Sequence, residues 1–172
     1  RSFTVSEEVH RSLAALAQGH GATMFMVLMA AFQALLGRYA GQDDVVVSTG
    51  TGGRSRVETE SLIGCFLNTL ALRLDLSGNP TFSELLARVR QVTLAAFAHQ
   101  DLPFEKLVEE LQPVRNLSHA PLFQVMFVLQ NAPRASLELP ALTLTPLELE
   151  SHTAKFDLTL LLAETDQGLH GI

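Results

Sequence analysis

Leu67-Asn68-Thr69-Leu70-Ala71-Leu72-Arg73-Leu74-Asp75-Leu76 alternates apolar and polar side chains well enough to predict a strand. Just beyond it, Pro80-Thr81 opens a helix with a capping box from Thr81 to Glu84. Its apolar face comprises Phe82, Leu85, Leu86, Val89, Val92 and Ala96. A strand feeding directly into a capped amphipathic helix places the chain in the mixed α/β class, and the neighbouring segments repeat the theme. Upstream, Asp44-Val45-Val46-Val47-Ser48-Thr49 is a β-branched run between Gly41 and Gly50 that reads as a buried strand. Two helices precede it. Thr4 or Ser6 caps the first, Glu7 and Glu8 complement its dipole, and Gly19 and Gly21 end it. The second runs from about Thr23 to Tyr39, is apolar nearly all round and therefore central, and stops at Gly41.

Downstream, Pro103 takes the first position of a shorter helix with Phe104, Leu107, Val108 and Leu111 as its stripe, ended by Pro113. Residues 122–129, 142–150 and 156–163 read as strands, the middle one an edge or a bulge because it holds Pro146. Thr165-Asp166-Gln167-Gly168 is a turn, and residues 169–172 begin a returning strand. A chain that stops there is expected to be an excised segment. The expected architecture is a mixed β-sheet packed with α-helices.

With 172 residues, 47% apolar and 17% charged, the chain fits one globular domain. Its net charge of −6 and scattered arginines argue against nucleic acid as a partner. The greasiest stretch, residues 24–36, is short of the ~20 residues of a membrane span, so no membrane association is expected. Cys65 is the only cysteine, which excludes an internal disulfide, and no signal pattern opens the sequence. A cytoplasmic location follows as the expectation. Ten arginines against two lysines hint at a GC-rich bacterial genome.

Candidate chemistry is thin. Gly50-Thr51-Gly52-Gly53-Arg54 follows a strand, but Ser55 stands where a dinucleotide fingerprint needs its third glycine, and no apolar helix start follows. A flexible loop approaching some partner closely is the better reading. His99 and Asp101 lack a third metal ligand and do not face each other, so they read as a polar joint between two helices. Cys65, among apolar neighbours, reads as a buried bystander. No metal site and no catalytic residue emerges.

Three segments carry a family resemblance. Ile63-Gly64-Cys65-Phe66-Leu67-Asn68-Thr69 resembles the I-G-x-F-V-N-T motif of nonribosomal peptide synthetase condensation domains. His99-Gln100-Asp101-Leu102-Pro103-Phe104-Glu105 matches their H-Q-D-x-P-F-E motif, and residues 115–122, R-N-L-S-H-A-P-L, are similar to R-x-x-S-R-N-P-L. Cys65 and Leu67 depart from the first motif, and His119-Ala120 replaces Arg-Asn in the third.

The resemblance implies a chloramphenicol acetyltransferase-like lobe, the C-terminal one of two set in a V, spanning residues 1–172. A tunnel between the lobes receives phosphopantetheine arms from donor and acceptor peptidyl carrier proteins; no cofactor is bound directly. The family's H-H-x-x-x-D-G motif sits in the N-terminal lobe, and no His-His pair occurs here, so this chain alone is not expected to catalyse condensation. The resemblance implies that this lobe forms one tunnel wall, supplies the segments that cross to the other lobe and helps dock the carrier proteins; implied partners are the N-terminal lobe, the two carrier proteins and an adenylation domain nearby in the parent chain. Arg54, Asn68, Gln130 and Asn131 are the candidates for tunnel-facing polar groups. Each has an ordinary competing reading: Asn68 and Asn131 as partners of buried backbone groups, Arg54 as a solvated loop charge. Gly64, Phe66, His99, Asp101, Pro103 and Glu105 are assigned structural roles. The presence of the first motif leans toward condensation rather than epimerization. Two alternatives share the fold: a lobe of a stand-alone acyltransferase, and a non-catalytic scaffold that binds carrier proteins.

Overall fold

Ser6 accepts a hydrogen bond from the Val9 amide and so starts the first helix directly out of a strand. That strand, β1 (Phe3–Ser6), runs into α1 (Glu7–Gly19). The computed structural model describes residues 1–53, 57–113, 120–130, 153–165 and 167–172. Thr23 caps α2 (Met24–Ala40), and Gly41 ends it in the left-handed conformation with φ 63°. Then follow β2 (Asp44–Thr51), a single turn α3 (Val57–Glu60), β3 (Asn68–Asp75), α4 (Phe82–Ala98) and α5 (Phe104–Leu111). The chain closes with β4 (Val125–Gln130), β5 (Leu158–Thr165) and β6 (Gly168–Gly171).

The described strands form one sheet in the order β1-β6-β5-β4-β2-β3. It is mixed: β4 runs parallel to both β2 and β5, and the remaining pairs are antiparallel. Between β2 and β4 the ladder narrows to the pair Ser48 and Met126, where the buried Ser48 hydroxyl donates to the Val125 carbonyl at 2.9 Å. The helices follow the strands across one face, with α1 over β6, α2 over β2 and α4 over β3. Val45, Val47, Leu72, Leu74, Phe127 and Leu162 meet Met29, Ala30, Leu86 and Val89 there. Phe127 is completely buried, with the Phe25 and Phe32 rings at 5.4 and 5.9 Å. Edge and tilted ring contacts of this kind add to what burial alone contributes.

Several expectations need correction. β1 leaves no signature in the sequence: four residues carry too little pattern, and the strand exists because β6 pairs it from the other end of the chain. Pro103 is the cap of α5 rather than its first residue; its ψ of 139° is extended. The strand expected from residue 122 begins at Val125, because Leu122 takes a positive φ of 69°. On α4, Phe82 is 39% exposed while Thr93 is buried in the core face. α5 has no buried residue, and Leu111 is exposed. The strand expected over residues 142–150, Pro146 included, lies outside the described residues, as do residues 115–119 of the third motif.

Candidate functional site

The β2–β3 ladder ends where Thr51 pairs with Asn68. Alternation along the two strands puts Val45, Val47, Leu72 and Leu74 on the helix-covered face, and Thr51 and Asn68 continue that row past its end. They therefore reach the joint between α4 and α5. Asn68 Nδ2 donates to the carbonyls of Gln100 at 2.8 Å and Leu102 at 2.7 Å. Its Oδ1 accepts from the amides of Thr69 at 2.9 Å and Phe104 at 3.1 Å. An amide side chain has two donor hydrogens and two acceptor lone pairs, so the capacity of Asn68 is filled by backbone. Thr51 Oγ1 donates to Gln100 Oε1 at 2.7 Å.

Between this root's two strands, residues 57–67 form an arm that keeps its large apolar side chains out of the core. Val57 is 78% exposed, Leu67 75%, and Ile63 fully exposed. Cys65 is exposed too, which corrects the buried reading: its apolar neighbours belong to an outward-facing segment. Gly53 precedes the arm with φ 60°, and a Cβ there would collide with the Phe66 carbonyl oxygen. The glycine-rich loop does make a close approach, and its neighbour is the arm's own return.

Arm root and helix joint enclose a cleft of about 320 Å³. Gly53, Phe66 and Asn68 line it from the arm and its root, and Gln100, Asp101, Pro103, Phe104 and Glu105 from the joint. Phe104 stacks on Phe123 at 5.1 Å, and Phe123 on Phe156 at 5.9 Å, tying α5 to the segments that enter β4 and β5. The first two motifs, thirty residues apart, thus meet in one place. His99 caps α4, its amide donating to Ala96 and its carbonyl accepting from Leu102.

Of the remaining candidates, Gln130 alone is among the described residues. Gln130 is exposed at the end of β4 and lies, with Met126 and Val128, on the sheet face opposite Asn68. Arg54 and Asn131 lie outside the described residues. Sequence reasoning does not pick out Gln100 and Thr51; a threonine whose place in the strand follows the buried valines is the available signal. The perturbed carboxylates lie elsewhere. The Arg73 guanidinium, bonded to both Asp44 oxygens, holds that carboxyl below its ordinary range. Hydrogen bonds from Ser77 depress Asp75, and those from Thr81 depress Glu84. No group of three His, Cys, Asp or Glu side chains among the described residues is placed to hold a metal. Among them, no single helix is long and apolar enough to cross a membrane.

A family model described as "Condensation domain" matches residues 1–171. The chain is 55% identical over 164 residues to malpinin synthetase of the fungus Mortierella alpina, covering 95% of this chain and 2% of that protein. It is 48% identical over 164 residues to a chondramide synthase of Chondromyces crocatus, covering 95% and 4%. With a fungal relative this similar, the matches do not single out a bacterial source. Among solved structures, the X-domain from teicoplanin biosynthesis superposes with a TM-score of 0.84 at 33% identity, over 99% of this chain and 41% of that one. A four-domain nonribosomal peptide synthetase bound to AMP and glycine gives 0.90 at 25% identity, over 99% and 14%. The mixed α/β fold is the one found in these structures.

Proposed function

This chain belongs to the condensation-domain family, and from that premise we propose that it is the C-terminal lobe of a domain that forms peptide bonds in a nonribosomal peptide synthetase. It spans 2–3% of the first synthetases it matches, so the reaction belongs to the parent protein. The acceptor amine attacks the donor thioester, the C–S bond breaks as the C–N bond forms, and the thiol leaves on the donor arm. In this reading the N-terminal lobe supplies the H-H-x-x-x-D-G histidine. Donor and acceptor carrier proteins deliver the substrates on phosphopantetheine, and an adenylation domain lies nearby in the parent chain. The present lobe contributes one wall of the tunnel and aligns the reactants, a proximity effect rather than proton transfer.

One observation carries the proposal: the arm leaves the cleft with its apolar side chains bare. Large exposed apolar surface on a folded chain marks an interface. The X-domain and condensation-domain chains it matches are more than twice its length, which leaves room for a second lobe against the arm. The N-terminal lobe is the occupant this reading assigns.

The test is single-turnover transfer in the parent condensation domain with loaded donor and acceptor carriers. The expected product is a peptidyl thioester on the acceptor, lost when the upstream histidine is replaced. A domain that binds both carriers yet forms no bond would instead favour the scaffold reading.

A further inference from the structure

Thr51 and Asn68 are opposite each other in the final rung of β2–β3, and both side chains end on Gln100. Thr51 grips its side chain at 2.7 Å and Asn68 its carbonyl at 2.8 Å. Between them in sequence runs the arm, whose described residues from Val57 to Leu67 are mostly exposed. Both ends of the arm are thus knotted to one residue of the α4–α5 joint, and the arm cannot turn about its root without breaking a bond to Gln100.

We propose that Gln100 is a positioning residue for peptide transfer, which locks the arm in register with the helix joint and so sets how the cleft meets the rest of the condensation domain. The proposal rests on the transfer activity proposed above. Its chemistry is specific. The Thr51 hydroxyl acts as donor, so the side chain at 100 must present an acceptor oxygen, while the backbone carbonyl at 100 answers Asn68. Glutamate keeps that acceptor; leucine, of similar size, removes it. Thr51→Val removes the donor and keeps the shape, and Thr51→Ser keeps the donor.

The experiment measures single-turnover transfer in the intact condensation domain with loaded carrier proteins, alongside urea unfolding of each variant. Gln100→Leu and Thr51→Val should each slow transfer by about tenfold or more, since small misplacements of reacting groups are costly. Apparent carrier affinities should stay within about twofold of wild type, because a positioning role changes the transfer step rather than the binding of the carriers. Gln100→Glu and Thr51→Ser should restore most of the rate. The Gln100→Leu/Thr51→Val double variant should be no slower than the worse single one, because both cut the same bond.

A purely structural role predicts that rates track the folded fraction, and that outcome overturns the proposal. So do wild-type rates in folded Gln100→Leu and Thr51→Val, or multiplicative losses in the double variant. Should Gln100→Leu fail to fold, Thr51→Val with amide exchange across residues 57–67 decides: faster exchange with slower transfer supports the lock, and unchanged values refute it. If the wild-type domain forms no peptide bond, the transfer reading falls and this proposal with it. If the wild type transfers and the variants match it, this proposal falls alone.

Discussion

Replacing Asn68 with leucine removes four hydrogen bonds in one step, three of them to the α4–α5 joint: Gln100 and Leu102 carbonyls and the Phe104 amide. Each such bond contributes about 1 kcal/mol net, and a buried group left without a partner costs about 1–3 kcal/mol. The site is half-buried, so water recovers part of the loss, and the expected destabilisation is roughly 2–4 kcal/mol. At about 2–4 °C per kcal/mol for a chain of this size, the melting temperature should fall by roughly 4–16 °C. Asn68→Asp refines the test. Its carboxylate still accepts from the Thr69 and Phe104 amides but turns its other oxygen toward two carbonyl oxygens. That contact favours the protonated acid and raises the folded-state pKa above the unfolded one. The folded state then binds the proton more tightly, so stability should rise as pH falls from neutrality toward the ordinary carboxylate range. Thermal melts across that window measure both effects. A leucine variant within about 0.5 kcal/mol of wild type, or an aspartate variant with the wild-type pH profile, would refute the knot.

Thr93 sits at 2% exposure with a hydroxyl that finds no hydrogen-bond partner among the described residues; Thr93→Val should stabilise the fold by about 1 kcal/mol in urea unfolding. Destabilisation would mean that the hydroxyl is satisfied after all. Arg73→Gln should release Asp44 to its ordinary range. Because the native pair holds that pKa down, the stability advantage of wild type is present above the carboxylate range and vanishes as pH falls through it. Acid titration of both proteins, followed by circular dichroism, checks the convergence. With its arm bare, the 172-residue chain purified alone should self-associate and bind a hydrophobic dye; a monodisperse monomer without dye binding counts against the interface.

Much of the fold was legible because local chemistry and tertiary packing agree. The Thr81–Glu84 capping box, the Thr23 cap and the Gly41 stop each satisfy helix ends by themselves, so their sequence signals survive into the structure. β1 was illegible because its partner, β6, lies at the far end of the chain. Cys65 misled because apolar neighbours usually mean burial, whereas residues 57–67 direct theirs outward. The two motifs were legible as motifs, but not their meeting point. Alternation along β3 was enough to put Asn68 on the face of Leu70 and Leu72, whereas the opposite placing of Gln130 follows from how β4 pairs with β2. What alternation could not supply was the position of Gln100, which depends on α4 ending beside the last rung.

Cys65 offers the most direct probe of the claim that this arm is covered in the parent domain. Its alkylation rate, followed by peptide mass mapping, can be compared between this chain alone and the intact condensation domain. The thiol is exposed here, so it should react freely in the lone chain and be protected at least about tenfold in the intact domain, as burial at an interface requires. Equal rates in the two would show that nothing sits against the arm, and the lobe assignment would not survive.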